Sequence, residues 1–395
     1  MAGTTQVIVV GGGYAGVMAA NRLTQRGDLA VTLINPRPQF VERIRLHQLV
    51  GGSHPAVVDY REVLADGVQL RNDTVTRIDP TPCRVVLASG DTVTYDYLIY
   101  AVGSGSAAAS VPGVAEFAHP VATLEGARRL RRALDTAPAT APVTVVGGGA
   151  TGIEVAAELA EAGWTVTLVC GEVLGPYLHP RGRRVVAKRL AALGVTVLDG
   201  PDAKVTAVTG DKVRLRGGRT LPSTVTAWAT GFGVPDLAVR SGLTTDPLGR
   251  LLTDETLTSV DDPRIVAAGD AAAPSGLPLR MSCQAAHPLG AHAADTVLAR
   301  IAGEQPATID IGFFGQCLAL GRRAAIDQFA TRDDTANRFF VSGRLIAVVK
   351  ERACRLAVGV LVKEARKPGA FVWRFKDRTR QRLLQARSGE KLATH

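Results

Sequence analysis

The sequence predicts an α/β fold in which parallel sheets are flanked by helices. Two segments carry the prediction. VIVVGGGYAGVM (7–18) and VTVVGGGATGIE (143–154) each run β-branched residues into a glycine cluster and then into an apolar, helix-like stretch. The two align from their first strand to their second with a single gap, so one βαβ unit is built twice. Composition agrees: hydrophobic residues make up 46% and aromatics only 5%, a core of Ala, Val, Leu and Ile that suits buried parallel strands.

Each unit is predicted in order as strand, tight turn, helix, short loop and strand. The helices close at Gly27 and Gly163, and the second strands end at Asn35 and Cys170. The glycine spacing is that of a dinucleotide fingerprint in its proper context, after a strand and before a helix. Gly11 and Gly147 make the sharp turn. Gly13 and Gly149 let backbone approach a pyrophosphate, and Gly16 and Gly152 let helix and strand pack closely. The helix N-terminus then offers free N–H groups and the positive end of its dipole to the anion. An acidic residue usually ends the second strand and binds a ribose hydroxyl. Here Asn35 can still do so. Cys170 cannot do so well, but Glu172 lies two residues on. A glutamate there would repel the 2′-phosphate of NADP, which favours NADH, although Arg181, Arg183 and Arg184 follow.

At 395 residues the chain is long enough for two or three domains. Five scattered cysteines, with no CxxC or CxxxxC, predict neither a disulfide framework nor a metal site and fit a reducing cytoplasm. The first residues carry no signal-peptide pattern, and no uninterrupted apolar run is long enough to span a membrane. The net charge is +10, and from Arg338 onward there are 15 Lys/Arg against four acids. The basic end predicts an acidic partner, either a membrane surface or an acidic protein, or simply a well-solvated face. No nucleic-acid-binding motif accompanies it.

Three further stretches complete a family pattern: YDYLIYAVGS (95–104), TVTAWATGFGVPD (224–236) and DDPRIVAAGDAA (261–272). In this order the sequence resembles the FAD/NAD-linked pyridine nucleotide oxidoreductases over about residues 5–300. Within them it looks most like type II NADH dehydrogenases and the apoptosis-inducing-factor-like ferroptosis suppressors. The resemblance implies two Rossmann-like domains, the second inserted in the first, plus a small C-terminal α+β domain. FAD would take residues 1–110 and 250–305, NAD(P)H would take 111–249, and 306–395 would form the third unit. It further implies that FAD is held by Gly11, Gly13, Tyr14, Ala15, Gly16, Asn35, Arg45, Val75, Ala101, Gly103, Gly269, Asp270 and Ala285. NAD(P)H would be held by Gly147, Gly149, Gly152, Glu154, Cys170, Glu172, Thr230 and Gly231, with Glu154 near the nicotinamide. The chemistry would be hydride transfer from NAD(P)H to FAD, which needs stacked rings and excluded water more than a protein acid or base.

Relatives that relay electrons through thiols carry cysteines in the early helix or near position 40, and this chain has none before Cys83. Reduced flavin would therefore meet a diffusing acceptor: a quinone, oxygen or an acidic, ferredoxin-like redox protein. A low-turnover flavin sensor is a further reading. CQAAHPLG (283–290) resembles the stretch that lines the quinone site of type II NADH dehydrogenases, with Gln284, Ala286 and Gly290 matching. Pro288 and Leu289 stand where that family has paired glutamines. His287, and secondarily His47, are candidate proton donors to the acceptor. GRLIAVVKERACRLAVGVLVKEA is expected to be helical. GAFVWRFKDRTRQRLLQAR is expected either as a basic interfacial helix with Phe371, Phe375 and Leu383 on one face, or as a segment packed on the protein itself. The third unit could also support a homodimer. The enzyme is expected to be cytoplasmic, possible attachment being to the cytoplasmic face of the membrane.

Overall fold

The computed structural model describes residues 4–107 and 110–393. Strand β1 (Thr5–Val10) enters α1 (Tyr14–Leu23) and returns as β2 (Leu29–Asn35). A short helix α2 (Leu46–Val50), β3 (Val68–Asn72) and β4 (Tyr97–Tyr100) follow. The chain then builds β5 (Ala118–Pro120), α3 (Leu124–Thr136), β6 (Pro142–Val146), α4 (Ala150–Glu161), β7 (Thr165–Val169), α5 (Pro180–Ala192), β8 (Thr196–Leu198) and β9 (Val225–Trp228). It comes back as β10 (Ile265–Ala267) and α6 (Cys283–Ile301). The last unit holds β11 (Gly315–Ala319), β12 (Ala325–Ala330), β13 (Ala336–Gly343), α7 (Arg344–Arg366) and α8 (Arg378–Ala393).

Two five-stranded sheets result, ordered β10-β4-β1-β2-β3 and β5-β9-β6-β7-β8, each wholly parallel. In the first, Val9 lies between Leu33 and Ile99; in the second, Val145 lies between Leu168 and Ala227. All six are buried, because both faces of a parallel sheet are covered and leave no solvent side for polar residues. β10 joins the first sheet after the whole second sheet has been made, so the second Rossmann-like unit is inserted in the first. The two crossings run side by side, with Gly105-Ser106 paired to Phe232-Gly233. Antiparallel hairpins at 75–79, 84–87 and 92–94 decorate the first unit.

The third unit is a three-stranded antiparallel sheet with α7 against it. Leu318, Leu320 and Ile326 pack into the core of the second unit, while Ala357 and Leu361 of α7 pack into the first. Its aromatic stretch corrects one sequence expectation. Residues 368–377 are not helical, so Phe371, Phe375 and Leu383 do not share a helix face. Phe371 and Trp373 pack on the first core, the Trp373 indole N–H donates to the Gly312 carbonyl at 3.0 Å, and Phe375 sits 4.9 Å from Phe314. Among the described residues no helix is long and apolar enough to cross a membrane.

Candidate active site

The site is built from two glycine turns in the same geometry. Gly11 and Gly147 have φ of +104° and +131°, and a Cβ on either would overlap the carbonyl of Ala101 or of Ala229, just past the end of the neighbouring strand. A Cβ on Gly16 or Gly152 would overlap the carbonyl of the turn glycine itself. Around Gly13 and Gly149, by contrast, there is nothing within 4 Å of the Cβ position. These two glycines are the N-caps of α1 and α4, and neither helix has a side-chain cap or an acid in its first turn. The first N–H groups of both helices therefore face open space with the positive dipole end behind them, which is what a pyrophosphate requires. Asn35 and Tyr60 brace the first turn: Asn35 Oδ1 accepts from Gly12 N at 3.0 Å, and Tyr60 Oη donates to Gly12 O at 2.7 Å. The Asn35 amide also donates to Arg37 O at 2.9 Å, so this side chain organises the loop.

The turn after β10 abuts the start of α1. Gly269 has φ +71°, and a Cβ there would lie 2.9 Å from that of Ala15. Asp270 accepts from Ser104 Oγ at 2.6 Å, and Arg43 reaches both Ser104 Oγ (2.9 Å) and Asp270 (3.3 Å). Arg43 also lies 5.8 Å from the ring of Phe232, in the TGFG loop that carries Thr230 and Gly231. Ala101 hydrogen-bonds Val10 O, and Gly103 follows at φ +69°. The cation beside Asp270 is thus Arg43. Arg45, the sequence candidate, points elsewhere: it is buried, with its guanidinium on Glu42 (3.0 Å), Gln48 (2.8 Å) and Glu351 (2.9 and 3.0 Å). With four of its five N–H donors on these partners, it ties α2 to α7. Val75 lies buried in the hairpin sheet.

Between the two units lies a buried charge cluster that sequence reasoning missed in part. Glu154 on α4 pairs with Lys350 Nζ of α7 at 2.9 Å, accepts from Ala319 N at 2.9 Å, and stands 3.6 Å from His47 Nδ1. Lys350 also donates to Cys317 O at 2.8 Å and is only 16% exposed. Burial works to raise the Glu154 carboxyl, but Lys350, His47 and the Ala319 N–H outweigh it and hold it below the usual carboxylate range. Burial likewise opposes the Lys350 charge, yet Glu154 more than offsets it and the ammonium is held above its ordinary value. Burial pushes His47 down, against the pull of the Glu154 carboxylate. The signal for Lys350 was present in sequence: it shares the inward phase of α7 with Cys354, Ala357 and Leu361, where a lysine is out of pattern.

Among the described residues, the buried atoms Tyr14 Oη, Gln284 Oε1 and His47 Nε2 have no hydrogen-bond partner. Gln284 sits in the first turn of α6, where Ser282 caps the Ala285 N–H at 3.3 Å. The neighbouring Pro288 and Leu289 are buried and apolar. His287 lies between the rings of Tyr14 (5.1 Å) and Phe371 (6.2 Å), with Nε2 on the Ala357 carbonyl at 2.9 Å. Burial pushes its pKa down to about 4, and with Nε2 on the Ala357 carbonyl the ring packs among its aromatic neighbours. At the second unit, the half-buried Cys170 thiol is pushed up to about 12 by burial. Glu172 is exposed. The Arg183 side chain is directed to the carbonyls of Gly175, Leu178 and Pro176.

Two open glycine cradles, one in each parallel sheet, with Asp270 and Arg43 beside the first, define an FAD-dependent NAD(P)H oxidoreductase. The chain belongs to the pyridine nucleotide-disulphide oxidoreductase family, whose model matches residues 5–292. It is 30% identical to an NADH dehydrogenase-like protein of Mycobacterium tuberculosis over 82% of this chain and 87% of that protein. It is 26% identical to the demethylphylloquinone reductase of Synechocystis over 81% of this chain and 86% of that protein. Its fold is similar to that of the sulfide:quinone oxidoreductase of Aquifex aeolicus, with a TM-score of 0.77 at 20% identity, covering 91% and 92% of the two chains.

Proposed function

We propose that this protein oxidises NADH and delivers the electrons to a quinone. The observation that carries the reading is the buried Lys350–Glu154–His47 cluster beside the apolar start of α6, with Gln284 Oε1 and His47 Nε2 unpartnered. Bound FAD would supply the chemistry, taking a hydride from the dihydronicotinamide and passing two electrons on. The protein's part is electrostatic and steric. Its Lys350 ammonium is a fixed positive charge in a poorly solvated place, and the α6 N-terminus adds a positive dipole end. Pro288 and Leu289 exclude water without asking for a polar partner, while the unpartnered atoms suit an acceptor with a few polar atoms on an apolar body. The similarity to a quinone reductase supports the same acceptor class. NADH is favoured over NADPH because Glu172 stands just past β7 and Arg183 is directed into its own loop.

The overall reaction, NADH + H⁺ + quinone → NAD⁺ + quinol, is followed in two halves. The purified yellow protein should bleach anaerobically with NADH and recover its colour when menadione is added. Bleached protein that menadione leaves unchanged would end the quinone reading. In Lys350→Met, bleaching should be little altered and recovery at least about tenfold slower, the loss of one fixed charge at the site.

A further inference from the structure

The stretch that leads into α6 has no backbone ladder to hold it. Between the short strand Ala272–Pro274 and the Ser282 cap, residues 275–281 form neither helix nor strand. Ser275 and Gly276 turn the chain at positive φ, and beyond them the N–H groups of Leu279, Arg280 and Met281 have no backbone partner among the described residues. The course of the stretch therefore depends on side chains that meet it from elsewhere. Leu277, Pro278, Leu279 and Met281 are half-buried, and Leu279 packs on the first core.

Two arginines hold it. Arg380 of α8 is 8% exposed and meets both carboxylate oxygens of Glu255, at 2.7 and 2.8 Å. It also donates to the carbonyls of Leu277 (2.8 Å) and Pro274 (3.0 Å), at the base of the stretch. A planar fork used in this way fixes direction as well as distance. At the other end Arg280 reaches the third unit. It pairs with Asp334 of the β12–β13 turn at 2.6 Å, meets Gln316 Oε1 and the Gly315 carbonyl at 3.3 Å, and lies 5.2 Å from the ring of Phe313. No side chain of either ion pair is more than 22% exposed, so neither is a loose surface pair. The Arg280 carbonyl accepts from Ser282 Oγ at 3.2 Å, and Ser282 caps α6. Contacts thus run from the third unit through Arg280 and Ser282 to the first turn of α6, where Gln284 Oε1 stands without a partner among the described residues.

On the basis of the quinone reading above, we infer that residues 275–282 are a strap forming one wall of the acceptor site, and that Arg280 and Arg380 are positioning residues that set it. The strap lays half-buried apolar side chains beside a free amide oxygen, which suits an apolar ring with few polar atoms. Because charged pairs hold it, the third unit decides where that wall stands. Neither arginine contacts a glycine turn, so uptake of the hydride does not depend on them.

The test uses flavin-loaded protein and two readouts. The first is recovery of colour after anaerobic bleaching with NADH, at increasing concentrations of duroquinone, whose fully substituted ring cannot arylate a thiol. In Arg280→Met and in Arg380→Met the duroquinone concentration for half-maximal recovery should rise at least about tenfold, while bleaching stays within about twofold of wild type. Arg280→Lys keeps a charge opposite Asp334 and should regain most of the loss. The second readout is alkylation of Cys283 by iodoacetamide, followed by peptide mass. Cys283 is the first residue of α6 and packs on the first core. It should react at least about tenfold faster in Arg280→Met, while Cys354, buried on the inner face of α7, stays as slow as in wild type. Wild-type duroquinone dependence in both methionine variants overturns the inference. So does bleaching that slows in step with recovery, or labelling of Cys283 and Cys354 that rises together, since either shows general loosening. If the wild-type flavin ignores duroquinone, the quinone reading fails, and the Cys283 rates still decide whether the two arginines hold the strap.

Discussion

Burial decides which ionisable side chains near α6 can act. His287 and His47 are both buried, yet of the two only His47 keeps a ring nitrogen unpartnered among the described residues and a carboxylate neighbour. His287 gives its Nε2 to Ala357 and packs between aromatic rings. Its depressed pKa fixes the sign of its effect on stability. The contribution is whole above the ordinary value of 6.5 and is lost as pH falls toward about 4, because the unfolded chain takes up the proton first. Replacing His287 with Gln should flatten the acid-side decline in stability over that window, as followed by denaturant melts. Turnover should meanwhile keep its pH profile between about 5 and 8. A shifted kinetic profile would return His287 to the proton path. Sequence could name both histidines but could not separate them, since the difference lies in which residues of α7 approach each ring.

At the scale of the element, the two glycine turns separate folding from binding. Gly16 and Gly152 touch the backbone of their own turns, whereas Gly13 and Gly149 face open space. Gly149→Val should therefore fold and keep its flavin while the KM for NADH rises at least about tenfold, by steady-state kinetics. Gly13→Val should fold but purify with little flavin absorbance. These expectations use β-compatible backbone at both sites, with ψ near 180°, which valine adopts readily. Unfolded Gly149→Val would show that the turn needs the glycine for its own geometry. The turns were legible in sequence because strand, turn and helix are local. Arg43 and Arg45 were not distinguishable there, because two residues on a short 3₁₀ turn point to opposite sides and only the packed neighbours, Asp270 for one and Glu351 for the other, tell them apart.

For the molecule as a whole, the third unit holds the other two together. α7 reaches the first unit through Glu364, which is fully buried and accepts from Arg22 at 3.1 Å and from Gly369 N and Phe371 N at 2.7 Å. It reaches the second through Lys350 and Glu154. Glu364→Gln leaves Arg22 with a weakened partner in a dry place and should cost about 3 kcal/mol in denaturant melts. Loss below about 0.5 kcal/mol would mean that Asp295 alone satisfies Arg22.

The sequence by itself determined the repeated βαβ units, the glycine positions and the family, because each rests on local pattern. It also located the helix that runs over 344–366. Tertiary structure alone decided the rest: that Lys350 meets Glu154 and His47 across three units, that Arg43 and not Arg45 stands by Asp270, and that the aromatic stretch at 371–375 covers the protein's own core. The physical reason is common to all three. Charge and aromatic residues act on whatever the fold brings near them, and contacts between segments hundreds of residues apart leave no periodicity in the chain.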